Sequence, residues 1–452
     1  MNGKLIAIVL IAVLVVAGCA IPLILRDNGD NSAPVSLELQ VYGNADGDWK
    51  ITEGDIDFIE KIISGEEEKS VYADANLDGK IDQKDIDQVR GLLDGSATDV
   101  WIVDGEGRDM KVGRDIKRII SEFYSATEIM LLLGQGDKIV GADGPTLVHG
   151  DFYFGNKITN ITDTVSSARP NYELYETLKP DILVTHNWSL YDEKKEKLPT
   201  VDVVYLGQYS PGITDPETAT YIQGILKAGY IFKATDKAEA YVKWYMDAVN
   251  MLRDKTKDIE NRPSVLMTGV TTFTSGVLTT PWSVGSIIET MDQASIVAGA
   301  KPLGEVVLTA EQYAGGPSGD TWSFRVDPEK IVVTKIDYAF ALAARDNFMG
   351  VAASTSVIPQ SGYGYSDATA MEEFQKLAQS HEFMKNTKVY MINNNLREGG
   401  SGGLLLALYI AKTIYPDIFD NMDPLDYHQQ YVDMMGIDKD VAKTSVFITP
   451  LP

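Results

Sequence analysis

Two stretches near the N-terminus set oxygen-bearing side chains at alternate positions, a spacing suited to holding a hard cation. Asp74, Asn76 and Asp78 fall at positions 1, 3 and 5 of a loop, Gly79 at 6, Lys80 at 7 and Asp85 at 12. Thirty residues earlier the same places hold Asn44, Asp46, Asp48, Lys50 and Asp55. Calcium takes six to eight oxygens, and position 7 contributes its backbone carbonyl, so either lysine serves there without its side chain. Ile51 and Ile81 supply the apolar anchor at position 8. The first loop departs at position 6, where Trp49 replaces the glycine of the tight turn, so it is expected to be strained or weaker. Between Ser36 and Ala97 there are 16 acidic and 6 basic residues, a net charge of −10. An acidic surface alone would not need two copies in register.

Each loop runs into a short amphipathic helix. Ile56, Ile59, Ile62 and Ile63 match Ile86, Val89, Leu92 and Leu93, and Gly65 and Gly95 stop the two helices. This pair of loop-helix units resembles type I dockerins, which carry Asp at position 12. The resemblance implies folding on calcium as cofactor and a cohesin domain as partner. Positions 10 and 11 are Glu53 and Gly54, then Gln83 and Lys84, not the Ser/Thr pairs common in cellulosomes. A calcium-stapled spacer therefore stays open beside a cohesin-binding module.

The whole chain of 452 residues carries a net charge of −25, which repels phosphate and disfavours a nucleic-acid partner. Cys19 is the sole cysteine, so no intrachain disulfide forms. It follows Lys4, the apolar run Leu5–Val16 and Val16-Ala17-Gly18, which matches a lipoprotein cleavage box. The 21 residues Leu5–Leu25 are also long enough to span a bilayer uncleaved. A lipidated Cys19 and a transmembrane helix are both open, and either tethers the remainder outside the membrane. Asp27–Pro34 reads as a spacer.

From Asp99 the chain alternates strands and helices, as α/β units on a mainly parallel sheet require. A hairpin is expected at Val100–Val112 and a strand at Arg118–Ser121. A helix follows from Ser125, where Ser125 and Glu128 have the spacing of a capping box, through Leu133. Further strands are expected at Lys138–Gly141, Asp181–Thr185 and Val201–Leu206, with a helix at Tyr172–Leu178. Asp236–Ile259 is a 24-residue amphipathic helix, with Asp236 and Glu239 as a second capping pair. Beyond it come a strand at Ser264–Thr268, a helix at Gly285–Gly299, a strand at Lys388–Ile392 and a helix at Gly402–Tyr415.

The order of the hairpin, Ala126-Thr127-Glu128, Leu131–Asp143 (LLLGQGDKIVGAD) and Leu178–Asn187 (LKPDILVTHN) resembles the periplasmic binding family serving iron-siderophore, haem and cobalamin importers. Ile410–Phe419 matches that family's closing pattern. Lys335-Ile336-Asp337-Tyr338 departs from its usual Asn-Pro-Asp. The resemblance spans Asp99–Pro452. It implies two α/β lobes with mainly parallel sheets joined by one long helix, here preceded by the small α-helical calcium module. The expected boundaries are 1–34 for anchor and spacer, 35–97 for the module, 98–235 for lobe one, 236–260 for the linker helix and 261–452 for lobe two.

Ligands of open α/β sheets sit at the carboxyl ends of strands. Lobe one offers His186, Asn187 and Trp188 there, with Ser125–Glu128 and Gly144–His149 nearby. Lobe two offers Phe273 within Thr271–Ser275, then Trp282, Trp322, Arg325, Arg345, Tyr363, Tyr365 and Arg397. Aromatic faces suit a tetrapyrrole and arginines suit carboxylates. Taken singly, each is better explained by core or surface: a Trp is more often core and an Arg more often a solvated charge. The Gly-rich start of a helix at Glu398–Gly403 is an alternative dock for an anionic group. His149, His381 and His428 show no zinc spacing. No P-loop, nucleophile elbow or His-Glu-x-x-His is present, so an enzyme is disfavoured. The family resemblance implies an ABC permease and ATPase as partners, a metal chelate as cargo, and one acidic residue per lobe facing the permease. Glu173 matches that place in lobe one, and Glu289, with Asp292 as competitor, is the choice in lobe two. A surface scaffold acting through the dockerin-like module is the alternative reading.

Overall fold

The computed structural model describes residues 37–144, 146–147, 161, 164–186, 188–208, 212–269, 282–343, 362–363, 384–393, 396, 399–438, 440–441, 445–446 and 448–450. Cys19 and the apolar segment around it lie outside these residues.

The repeat near the N-terminus forms two helices, α1 (Glu53–Ser64) and α2 (Gln83–Asp94). Both open on a capping box, Thr52 with Asp55 and Asp82 with Asp85, and both end on a left-handed glycine, Gly65 at φ 81° and Gly95 at φ 79°. Each helix buries one stripe: Ile56, Ile59 and Ile62, then Ile86, Val89 and Leu92. Ile63 and Leu93, expected in the same stripes, are 48% and 39% exposed. At about 100° per residue each lies one step beyond the buried face.

The hairpin follows as β1 (Asp99–Val103) and β2 (Asp109–Gly113), antiparallel with Val100 opposite Val112. Then come β3 (Ile119–Ser121), α3 (Tyr124–Leu132), β4 (Ile139–Asp143), β5 (Thr164–Val165), α4 (Tyr172–Leu178), β6 (Ile182–Val184), α5 (Tyr191–Lys197) and β7 (Asp202–Val204). The five strands form one parallel sheet in the order β5-β4-β3-β6-β7. Its strands are almost wholly buried, as a sheet covered on both faces demands.

Two helices, α6 (Thr220–Ile231) and α7 (Thr235–Thr256), lead out of this lobe. The long helix has 22 residues rather than the 24 expected, about 33 Å at 1.5 Å per residue. Its N-cap is Ala234, with no side-chain cap, so the Asp236–Glu239 pair does not form a box. Ala238, Tyr241, Val242, Tyr245, Ala248, Val249 and Leu252 make its buried stripe.

The second lobe holds β8 (Ser264–Gly269), β9 (Trp282–Gly285), α8 (Thr290–Val297), β10 (Lys301–Pro302), β11 (Ser323–Val326), β12 (Tyr338–Ala343), β13 (Gly362–Tyr363), β14 (Lys388–Asn393), α9 (Gly399–Ile414), α10 (Pro424–Met434), β15 (Ser445–Val446) and β16 (Ile448–Pro450). Its main sheet runs β10-β8-β12-β14-β16, parallel except for the antiparallel edge strand β16. The helix expected over Gly285–Gly299 is two elements: β9 ends at Gly285, and α8 starts only at Thr290 under the Glu289 cap. The Lys335–Tyr338 departure does not disturb β12, because Asp337 binds Ser264 N and Oγ at 2.9 and 3.0 Å, fixing its register beside β8.

One apolar cluster runs from Leu39 and Val41 through α1, α2 and the hairpin into α6, α7 and α9. The core is therefore continuous across residue 97. Val41 bridges Ile102, and the N–H of Tyr42 donates to the Trp101 carbonyl at 3.0 Å.

Candidate functional site

The carboxyl edge of the first sheet gathers three adjacent strand ends: Glu122 and Phe123 after β3, Asp143 closing β4, and Thr185 and His186 after β6. The Phe123 backbone sits at φ 79°, in the left-handed region that a bulky residue rarely occupies. This turns its ring onto His186, stacked at 4.1 Å with planes 16° apart, and against Tyr124, also at 4.1 Å. Burial pushes the His186 imidazole down to about 4 against the pull of Glu122, so the ring is neutral at pH 7.

Beneath this aromatic pair lies a buried ion pair. Lys194 Nζ and Glu122 Oε2 are 2.6 Å apart, and both side chains are fully buried. Thr185 Oγ1 donates to Glu122 at 2.7 Å and accepts from Lys194 at 2.7 Å. Tyr175 Oη donates to the other Glu122 oxygen at 2.6 Å. Every charged atom thus has a partner, which a buried charge requires. Asp143 is also buried; desolvation lifts its carboxyl to about 6, while Thr146 holds it through N at 3.0 Å and Oγ1 at 2.5 Å. None of Glu122, Tyr175 or Lys194 was singled out by the sequence. Residues 53 and 72 positions from Glu122 have no spacing signal, though a lysine inside an acidic chain's only buried ion pair among the described residues is a recognisable oddity afterwards.

In the second lobe, β9 and β11 pair antiparallel across the intervening β10 segment and bring Trp282 and Arg325 onto one two-stranded ribbon, with Trp322 just before β11. Trp282 is 5% exposed and packs among Val284, Leu303, Val307 and Val326, so its ring serves the core. Trp322 is half-buried, and its carbonyl accepts from Ser286 N at 2.9 Å. Arg325 is exposed, opposite Ser283. Trp188 opens a short 3₁₀ turn to Leu190, and Tyr363 pairs with Ser445 through its backbone. Asn187, Phe273, Arg345, Tyr365 and Arg397 lie outside the described residues, as do His149 and His381.

Two expectations are corrected. Ser125 and Glu128 do not cap α3, whose N-cap is Phe123 without a side-chain bond. Glu128 instead reaches the second lobe, accepting from Ser401 N at 3.3 Å and Tyr431 Oη at 2.9 Å. The Gly-rich start of α9 therefore already faces a carboxylate from the protein itself. Ser401 Oγ also meets Tyr241 Oη at 2.5 Å, tying α9 to the long helix. Glu289 is 5% exposed and its carboxylate caps α8 through Met291 N at 2.6 Å, so it does not stand on the surface where a permease could meet it. Asp292 is equally buried. Glu173 is exposed in the first turn of α4.

In the N-terminal loops the acidic groups fold onto the loops' own amides. Asp55 accepts from Ala45, Asp46 and Thr52 N at 2.7, 3.2 and 2.7 Å. Asp85 accepts from Asn76 and Asp82 N at 3.2 and 2.8 Å, and Asp74 from Asp78 and Gly79 N at 3.1 and 2.8 Å. Asp48 and Asp78 accept from Lys50 and Lys80 N at 2.8 and 3.1 Å, and Asp46 from Asp48 N at 3.1 Å. Among the described residues no three His, Cys, Asp or Glu side chains converge as metal ligands. The donor chemistry nevertheless suits calcium: the set is all oxygen, and Asn44 Oδ1 is buried with no hydrogen-bond partner. The loops differ in their turns. Both turn left-handed at position 4, Gly47 at φ 76° and Leu77 at φ 53°, but only the second does so again at position 6, Gly79 at φ 88°, where the first carries Trp49.

A family model described as periplasmic binding protein matches residues 119–395, more than half the chain. The chain belongs to the periplasmic binding protein family. It is a substrate-binding protein of an ABC transporter, a solute carrier and not an enzyme. It is 23% identical over 336 residues to YvrC, an uncharacterized ABC transporter substrate-binding lipoprotein of Bacillus subtilis, covering 71% of this chain and 87% of that one. Among solved structures it resembles the TroA-like periplasmic binding protein FepB of Veillonella parvula (TM-score 0.60, 15% identity, 78% of this chain and 99% of that chain). It also resembles MolA of Haemophilus influenzae, a molybdate periplasmic binding protein (TM-score 0.52, 16% identity, 77% and 99%). At such identities the structures establish the shared fold of this binding protein, two α/β lobes with parallel sheets.

Proposed function

We propose that this binding protein captures a metal chelate, a ferric siderophore, haem or corrinoid, and hands it to its permease outside the cytoplasmic membrane. The observation that carries the reading is the neutral His186 imidazole stacked on Phe123 at the carboxyl edge of the first sheet. A neutral imidazole keeps a lone pair for a metal, and flat rings suit a macrocycle or catecholate. Arg325 offers an exposed positive partner for chelate carboxylates. Delivery would use Glu173 against the permease, driven by its ATPase, and an N-terminal anchor through Cys19 or an uncleaved helix would keep the protein at the membrane. Among the described residues no helix is long and apolar enough to cross a membrane.

The test is a tryptophan-quenching titration with haemin, cobalamin, ferric siderophores and molybdate, on the native protein and on His186→Ala. Saturable micromolar binding of one chelate class, weakened at least tenfold in the variant, is expected. Binding of molybdate alone, or of nothing, would sink the chelate assignment.

The two N-terminal loops are read as calcium sites, with Asn44, Asp46, Asp48, Asp55 and the Lys50 carbonyl in the first, and Asp74, Asn76, Asp78, Asp85 and the Lys80 carbonyl in the second. The buried, unpartnered Asn44 Oδ1 favours this, as does desolvation, which lifts the Asp55 carboxyl to about 6 and raises that of Asp85. Calcium would supply the positive charge that such carboxylates lack. Calorimetric titration should show binding that chelator reverses. A pull-down with a cohesin domain separates a docking module from a structural one.

A further inference from the structure

The first loop is clasped by the lobe. The N–H of Ile51 donates to Tyr230 Oη at 2.7 Å, with Tyr230 3% exposed near the end of α6. The Tyr230 carbonyl accepts from Arg114 Nε at 2.8 Å, and Arg114 Nη1 reaches the Ala97 carbonyl at 3.3 Å. The same helix holds the segment before the loop: Gln40 N donates to Gln223 Oε1 at 3.1 Å, and Gln223 Nε2 to the Glu38 carbonyl at 2.5 Å. Just beyond the helix, Lys233 Nζ donates to the Gly95 carbonyl, the C-cap of α2, at 2.8 Å. The segment before the loop, the loop itself and the far end of the module are thus all fastened to one helix and its exit.

The peptide between Lys50 and Ile51 has two working ends. Its carbonyl is the position-7 oxygen of the cation loop. Its N–H is the donor to Tyr230. A cation on the carbonyl polarises the amide and strengthens that donation, as hydrogen bonds in series polarise one another. Matched position by position, Asn44 is fully buried where Asp74 is half-buried, and Asp48 and Lys50 are half-buried where Asp78 and Lys80 are exposed; Asp46 is more exposed than Asn76, and Asp55 and Asp85 are both fully buried.

We infer that calcium in the Asn44–Asp55 loop is a structural effector of the solute-binding lobe, read by α6 through the Lys50–Ile51 peptide and Tyr230. This rests on the calcium reading of the loops. Occupancy tightens α6, which packs on the long helix α7 and meets it through Tyr221 Oη and Tyr241 Oη at 2.7 Å. By linkage, whatever calcium does for α6, an ordered α6 does for calcium affinity.

The test uses the full chain in mild detergent, with and without calcium. Calorimetry measures calcium binding, and amide exchange measures protection of residues 220–231. Three proteins are compared: native, Tyr230→Phe, and Asp46→Asn/Asp48→Asn. In the native protein calcium is expected to slow exchange across α6. Tyr230→Phe should still bind calcium, about 2- to 10-fold more weakly from loss of one hydrogen bond, with most of the α6 response gone. The double Asn variant should lose one calcium and the α6 response together. If the native protein binds calcium but α6 exchange is unmoved, or if Tyr230→Phe responds like the native protein, the coupling is wrong and the calcium site stands. If no calcium binds to the native protein, both readings fail.

Discussion

Replacing Lys194 by Met should destabilise the first lobe by about 3–5 kcal/mol. The contact to Glu122 is 2.6 Å with both side chains fully buried. At an effective dielectric of about 20, unit charges that close attract by about 6 kcal/mol. Removing each ion from water costs several kcal/mol, so the pair itself contributes little net stability. Deleting the lysine leaves the cost of the carboxylate without its counter-ion. Tyr175 and Thr185 still donate to Glu122, which keeps the loss inside the quoted range. Glu122→Gln/Lys194→Met should recover most of it, since Gln still accepts from Tyr175 and carries no charge. Urea denaturation of the native, two single and one double variant closes the cycle, with m-values checked for constancy. A Lys194→Met cost below about 1 kcal/mol, or additive single effects, would refute the argument that this is a buried, mutually dependent pair.

Three further outcomes are expected. Burial pushes Lys227 down to about 7, partly opposed by Asp104. Unfolding then takes up a proton between about pH 7 and 10, so stability should rise with pH through that window, by an amount on the order of 3–5 kcal/mol, and level off below pH 7. Lys227→Met should flatten the rise in urea midpoints between pH 7.5 and 9.5, and parallel slopes would exclude this residue as its source. Gly224→Ala, which in an exposed helix would gain about 1 kcal/mol, should destabilise instead, because a Cβ there would overlap the Leu206 carbonyl oxygen; a higher melting temperature would contradict the packing. Glu173→Ala should leave solute affinity unchanged and reduce uptake in cells, whereas normal uptake would remove Glu173 from permease docking.

Elements with a strong period were legible in the residues. The alternation of Val100–Val103 against Met110–Val112, the apolar stripe of the long helix and the glycine stops at 65 and 95 all fall where their patterns place them. Capping pairs were less informative. Ser125 with Glu128 and Asp236 with Glu239 have the right spacing, yet neither caps, because the helices already start after Phe123 and Ala234, which places Ser125 and Asp236 inside the first turn. Glu128 is also drawn to a partner 273 residues away on α9. The site was half visible: His186 follows from a strand end, but its stacking on Phe123 depends on a left-handed backbone that no residue type there advertises. The fusion of the N-terminal module to lobe one was hidden too, since Gln40 and Gln223 are unremarkable polar residues until they meet.

That meeting joins residues 183 positions apart, and Ile51 finds Tyr230 across 179. A polypeptide emerging N-terminus first exposes Leu39, Val41 and Ile51 long before α6 exists to receive them. Contacts of such separation form slowly, and apolar segments waiting for them are open to aggregation in the interval. The module is therefore completed only after α6 has been made, and the protein's yield on synthesis depends on how well the waiting segment is shielded.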